Sequence, residues 1–169
     1  MKKEQPEIQK ALELEASDRH LSGLWAKLVL VICLVMSAYH FYTAGFGLQV
    51  GTRTHLIFHL TIGLTLVFLM YPVKKGLNQK SVPWYDILIA IAAIFVGNYI
   101  IQNQFSNSIL SARPSDMDVW IGVALVVLVL EATRRVVGWP LVIIASVFIG
   151  YYFLGAHMPG AFRHMRADF

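Results

Sequence analysis

The stretch Val119–Arg135, VWIGVALVVLVLEATRR, decides the class of this protein. Its first twelve residues, Val119 to Leu130, carry no charge. Glu131, Arg134 and Arg135 then arrive together within about one helical turn. The rest of the chain repeats this alternation of long uncharged runs and short charged flanks. Hydrophobic residues make up 57% of the 169 and charged residues only 14%, against about 25% charged in a soluble domain. The expected class is all-α, a polytopic integral membrane protein of four to five transmembrane helices with a charged N-terminal cytoplasmic segment. The net charge of +4 does not imply a nucleic-acid partner. The basic residues flank the hydrophobic segments, as topology signals do.

Residues 1–24 form the charged N-terminal segment, in which Ile8, Leu12, Leu14 and Leu21 are scattered among Glu7, Lys10, Glu13, Glu15 and Arg19. Two readings fit, a solvated tail and an amphipathic helix lying on the membrane surface. The first apolar run starts near Leu28, behind five acidic residues, and is too long for a signal-peptide core. It is expected to stay as an anchor. The helical membrane domain is then 25–156, with spans at about 25–46, 54–72, 84–103, 116–136 and 140–156, and 157–169 is a C-terminal tail. The first four segments meet the need for roughly 20 apolar residues comfortably. The fifth, about 25 Å long as a helix, is a thin span, a tilted companion or a re-entrant piece.

Local chemistry marks the boundaries. Ser115-x-x-Asp118 reads as a capping box for the fourth segment. Pro83 opens the third, with Trp84 and Tyr85 at headgroup level. Gly138 and Pro140 divide the fourth from the fifth. Orientation follows from the basic residues. With alternating flanks, Lys2, Lys3, Lys10, Arg19, Lys27, Lys74, Lys75, Lys80, Arg134 and Arg135 share one side, and Arg53, Arg113, Arg163 and Arg166 the other. The N-terminus is therefore expected in the cytoplasm. The same rule leaves the fifth span open.

Ionisable residues inside a membrane segment are functional candidates. Glu131 precedes Arg134 by three residues and Arg135 by four, so either arginine can pair with it on one helix face. The cluster reads as a snorkelling helix end or as a docking site for a neighbouring subunit. Its place at an edge argues against a substrate site. Asp86 suits the N-terminus of the third helix. Asn98, Gln102, Asn103 and Gln104 form a polar end to that helix, as interhelical glue or an interface rim. His40, His55 and His59 come to similar depth in an antiparallel hairpin, and facing histidines can ligate a b-type haem. The competing reading is interfacial histidines bonded to backbone or water. The lone Cys33 supports no internal disulfide. No nucleophile, metal-ligand or phosphate-loop spacing points to an enzyme or a bound cofactor.

Several short motifs resemble the N-terminal membrane region of TRAP transporters of the TAXI type. They are Arg53-x-His55-x-x-x-His59 with Met70-Tyr71-Pro72, Val82-Pro83-Trp84-Tyr85-Asp86, Leu130-Glu131-Ala132-Thr133-Arg134-Arg135 with Gly138, and Phe148-x-x-Tyr151 with Gly155 and Pro159-Gly160-x-x-x-His164. Each is weak alone, and their order over residues 53–164 carries the resemblance. A fused permease of that group would continue well beyond Pro159-Gly160, whereas this sequence stops at Phe169. The resemblance therefore implies a free-standing small (Q-type) subunit in a bacterial inner membrane. It implies a large M-type membrane partner, a periplasmic TAXI binding protein and import of an organic acid on a Na⁺ or H⁺ gradient. It makes Glu131, Arg134, Arg135, Arg53, His55, His59 and Asp86 candidates for subunit or lipid-headgroup contact. The alternatives are a haem redox protein using His40 with His55 or His59, and a small membrane scaffold acting alone.

Overall fold

The computed structural model describes residues 18–47, 50–74, 80–104 and 114–154. These form five helices and, among the described residues, no strand: α1 Gly23–Phe46, α2 Thr52–Met70, α3 Trp84–Asn103, α4 Asp116–Val136 and α5 Trp139–Leu154. The described part of the protein is thus all-helical. Helices α1, α2 and α3 are long and apolar enough to cross a membrane. Four such segments were expected, and α4 is the difference. It is long enough at 21 residues, but Asp116, Asp118, Glu131, Arg134 and Arg135 occupy its ends. Its uncharged middle, Val119 to Leu130, extends about 18 Å, well short of the roughly 30 Å hydrocarbon core. The apolar α5 has only 16 residues.

The chain divides into two compact units, residues 1–104 and 105–169. In the first, α2 and α3 pack as the core. Asp86, Ala90, Ala93 and Gly97 are buried along one face of α3 at spacings of three and four, and Leu64, Thr65, Phe68 and Leu69 are buried on α2. Small residues on α3 let the two backbones approach, the usual device where apolar burial alone cannot drive helices together. At Gly97 the approach is closest. An added Cβ would overlap the Thr61 hydroxyl and lie 2.8 Å from Thr61 Cβ and Cγ2. Thr61 and Thr65 satisfy their hydroxyls within α2, on Ile57 O at 2.7 Å and Thr61 O at 2.8 Å. Helix α1 packs more loosely. Val29 is its one buried residue among those described, and a crevice of about 420 Å³, lined by Val35, Phe58, Ile94 and Asn98 among others, separates it from its neighbours.

In the second unit the capping box of α4 is complete. Ser115 Oγ accepts from Asp118 N at 3.3 Å, and Asp118 Oδ2 accepts from Ser115 N at 2.8 Å. At the other end, the amides of Val137 and Gly138 both donate to Thr133 O. Gly138 has φ +109°, a conformation open to glycine at little cost. It turns the chain so that Pro140 falls in the first turn of α5, where its missing N–H costs no hydrogen bond. An apolar cleft of about 850 Å³ lies between α4 and α5, with Gly122, Val126, Phe148 and Tyr152 in its walls.

The choice between tail and amphipathic helix for the N-terminal segment falls on residues outside those described, as do Arg113, Arg163, Arg166 and the C-terminal tail. Residues 18–22 do fall within them, with Asp18, His20 and Ser22 exposed. Arg19 is buried, and α1 begins at Gly23, inside the segment expected to precede it.

Gly97→Ala should lower the thermal stability of the detergent-solubilised chain by about 1–3 kcal/mol, the range for overpacking. Thr61→Ala should recover part of that loss, because it removes the nearest clashing atom.

Candidate functional site

The polar side chains gather in three places, at the two ends of the α2–α3 hairpin and at the end of α4. The first is built around Asp86. A carboxylate in the opening turn of α3 suits the partial positive charge there, which is as far as sequence reasoning took it. The structure adds a partner from 67 residues away. Arg19 Nη2 donates to Asp86 Oδ2, and both side chains are fully buried. Nη1 of the same guanidinium donates to Phe68 O at 3.0 Å and Leu69 O at 2.9 Å, and Arg19 N donates to Met70 O at 2.7 Å. The last four carbonyls of a helix lack intrahelical donors. Arg19 supplies donors to three of them while placing its charge at the negative end of α2. Ser22 N extends the attachment by donating to Lys80 O at 3.1 Å. Arg19 had counted only as one topology charge among many. The cue available in sequence was that a carboxylate facing an apolar helix pair needs a counter-charge, but nothing local said which cation supplies it.

At the other end of the hairpin, Arg53 and Gln104 join α2 to α3. Gln104 Nε2 donates to Thr54 Oγ1 at 2.7 Å and to Ile101 O at 2.9 Å, and Arg53 Nη1 donates to Gln104 O at 3.3 Å. Of the four polar residues noted there, Gln104 is buried and makes the bridge. Gln102 bonds Asn98, and Asn103 bonds Tyr99 O, both within α3.

Beside this bridge the three histidines do come together. His40 Nε2 and His59 Nδ1 are 2.6 Å apart, with ring centroids 4.8 Å apart and nearly parallel. His55 Nδ1 is 2.9 Å from the Tyr39 hydroxyl, and its ring centroid lies 5.2 Å from that of His40. Phe58 packs edge-on to Tyr39. This arrangement does not fit a haem. An iron with two histidine ligands needs its macrocycle between the rings, but here the rings of His40 and His59 are in direct contact. Among the described residues no group of three or more His, Cys, Asp or Glu side chains is placed to hold a metal ion.

The third cluster lies on α4. Glu131 receives Arg134 through Nε at 2.7 Å and Nη2 at 2.8 Å, a two-point grip, and Arg135 Nε at 2.8 Å. The Arg134 guanidinium also sits 5.7 Å from the ring centre of Trp139. Burial separates the two arginines. The Arg135 side chain is fully buried, whereas Arg134 and Glu131 retain 19% and 28% exposure. Both arginines bind the one carboxylate.

Two stability predictions follow from these geometries. Arg19→Ala and Asp86→Ala should each cost about 3–5 kcal/mol, because each strands a buried charge. The double variant should cost less than the sum, a coupling that chemical unfolding of all four forms measures. On α4, Arg135→Ala should cost about 3–5 kcal/mol and Arg134→Ala about 0–1 kcal/mol, as for a buried and a surface pair. Equal losses in thermal melts would contradict the burial difference.

No family model, curated protein or solved structure matches this chain, so the chemistry of its own residues has to carry any functional reading.

Proposed function

We propose that the chain is a small scaffolding membrane subunit of a TRAP-type secondary transporter of the TAXI kind. In this reading it braces a large elevator subunit in a bacterial inner membrane. A periplasmic binding protein delivers an organic acid, and a Na⁺ or H⁺ gradient drives its uptake. The N-terminus is cytoplasmic, and α4 and α5 raise the number of spans from three to four or five. The chain itself is not an enzyme and holds no cofactor.

The observation that carries the proposal is the ordered set of motifs between residues 53 and 164. The distribution of charge supports it. The Arg19–Asp86 and Glu131–Arg134–Arg135 clusters lie at helix ends and are ion-paired, as suits a brace, whereas transport sites gather at the bilayer midplane on broken helices. The α4 cluster supports a fourth span. Glu131 is held by two arginines, so the end of α4 carries little bare charge into a bilayer. Outward-facing Leu30, Leu34 and Phe41 on α1, and Phe148 on α5, are stable in contact with lipid or a partner helix and poorly suited to water.

Affinity purification of the tagged chain from its native membranes should retain a large multispanning protein. Deleting this chain should abolish uptake of the organic acid. Uptake that persists after deletion, or crosslinking of the chain only to itself, would overturn the proposal and favour a small scaffold acting alone.

A further inference from the structure

The histidine cluster is left over by the scaffolding reading, and its geometry is specific. His40 lies on α1, and His55 and His59 lie on α2, so the His40–His59 contact joins the two helices, beside the Tyr39–His55 hydrogen bond. We propose that this contact is a proton-operated clasp, closed when the two rings share one donor and one acceptor and opened when acid charges both. The inference is independent of the TRAP reading.

The chemistry follows from the inventory of an imidazole. A neutral ring has one N–H and one bare nitrogen, and a charged ring has two N–H groups. At 2.6 Å the facing nitrogens, His40 Nε2 and His59 Nδ1, can bond only if one donates and the other accepts. A pair with no charge or with one charge satisfies that. A doubly charged pair puts two N–H groups head to head and two like charges in stacked rings. The other His40 nitrogen adds to the penalty. Nδ1 is buried without a hydrogen-bond partner among the described residues, so a proton there finds no acceptor. Histidine is the side chain whose charge changes between about pH 5 and pH 8, which makes the switch reachable under ordinary conditions.

Among the described residues of the first unit, no carboxylate is bonded to the cluster. From α1 the cluster meets the Tyr39 phenol, from α2 it meets His55 with Arg53 one half-turn away, and the end of α3 contributes the neutral Gln104. Between residues 18 and 104 the sequence has two carboxylates, Asp18 and Asp86, and Asp86 is held by Arg19 at the opposite end of α2. The clasp has leverage because α1 is held loosely, with Val29 its one buried residue among those described.

The test uses the full chain in lipid nanodiscs, with native Cys33 replaced by Ser and nitroxides on F41C and L56C, both outward-facing positions. Dipolar broadening between the labels should be present at about pH 8 and lost at about pH 5. H59Q can still bond His40 but cannot be charged, and should keep the broadening at both pH values. H40Q should do the same, which guards against a local defect of one variant. H59K, whose ammonium can donate to a neutral His40 but meets a charged one head to head, should keep the broadening at about pH 8 and lose it at about pH 5. An unchanged wild-type spectrum across the range would overturn the clasp, and so would acid opening that survives in both glutamine variants.

Discussion

The Arg19–Asp86 pair is the interaction on which the first unit depends. Its two side chains are fully excluded from solvent, and neither is stable there alone. A buried unpaired charge costs several kcal/mol, so each residue makes the other's burial tolerable. The guanidinium also completes the hydrogen bonding of the α2 C-terminus through Phe68 O and Leu69 O. One side chain therefore closes the mouth of the α2–α3 hairpin and fastens the segment leading into α1. That attachment is one polar tie of α1, and the His40–His59 and Tyr39–His55 contacts are others, towards the opposite end of α2.

The arrangement has a thermodynamic logic that suits a membrane segment. Apolar residues gain little by leaving lipid for protein, so helix pairs in bilayers rely on close packing and polar ties. Both occur here. Gly97 and Ala93 admit α2 closely, while Gln104 and Arg19 tie its two ends. Helix α4 meets the same demand differently. It keeps its charges at its termini, with acids in the first turn inside the capping box and arginines in the last turn. Each sign lies where the helix dipole favours it, and Glu131 offsets part of the basic charge.

Much of this was legible in the residue order. Hydrophobic runs of about twenty residues can become little other than helices, because every backbone group in an apolar medium must bond within its own segment. Ser115-x-x-Asp118 and Gly138-x-Pro140 are local devices, complete within a few residues, and pattern alone identifies them. Helix spacing also puts the three histidines at one level, but spacing alone does not distinguish a haem between them from the direct contact that the rings of His40 and His59 make. Depth follows from spacing along a helix. Whether two rings touch or stand apart depends on how closely the helices approach.

The sequence by itself determined the helices, their caps and the restriction of charge to their ends, since each depends on neighbours within a turn or two. Only the tertiary structure decided which charges are paired and which are buried. Asp86 draws its partner from 67 residues away, and Arg135, unlike its neighbour Arg134, is packed out of solvent. The physical reason is that burial and counter-charge belong to the packed assembly of helices. Residues adjacent in sequence can therefore differ by several kcal/mol in what their loss would cost.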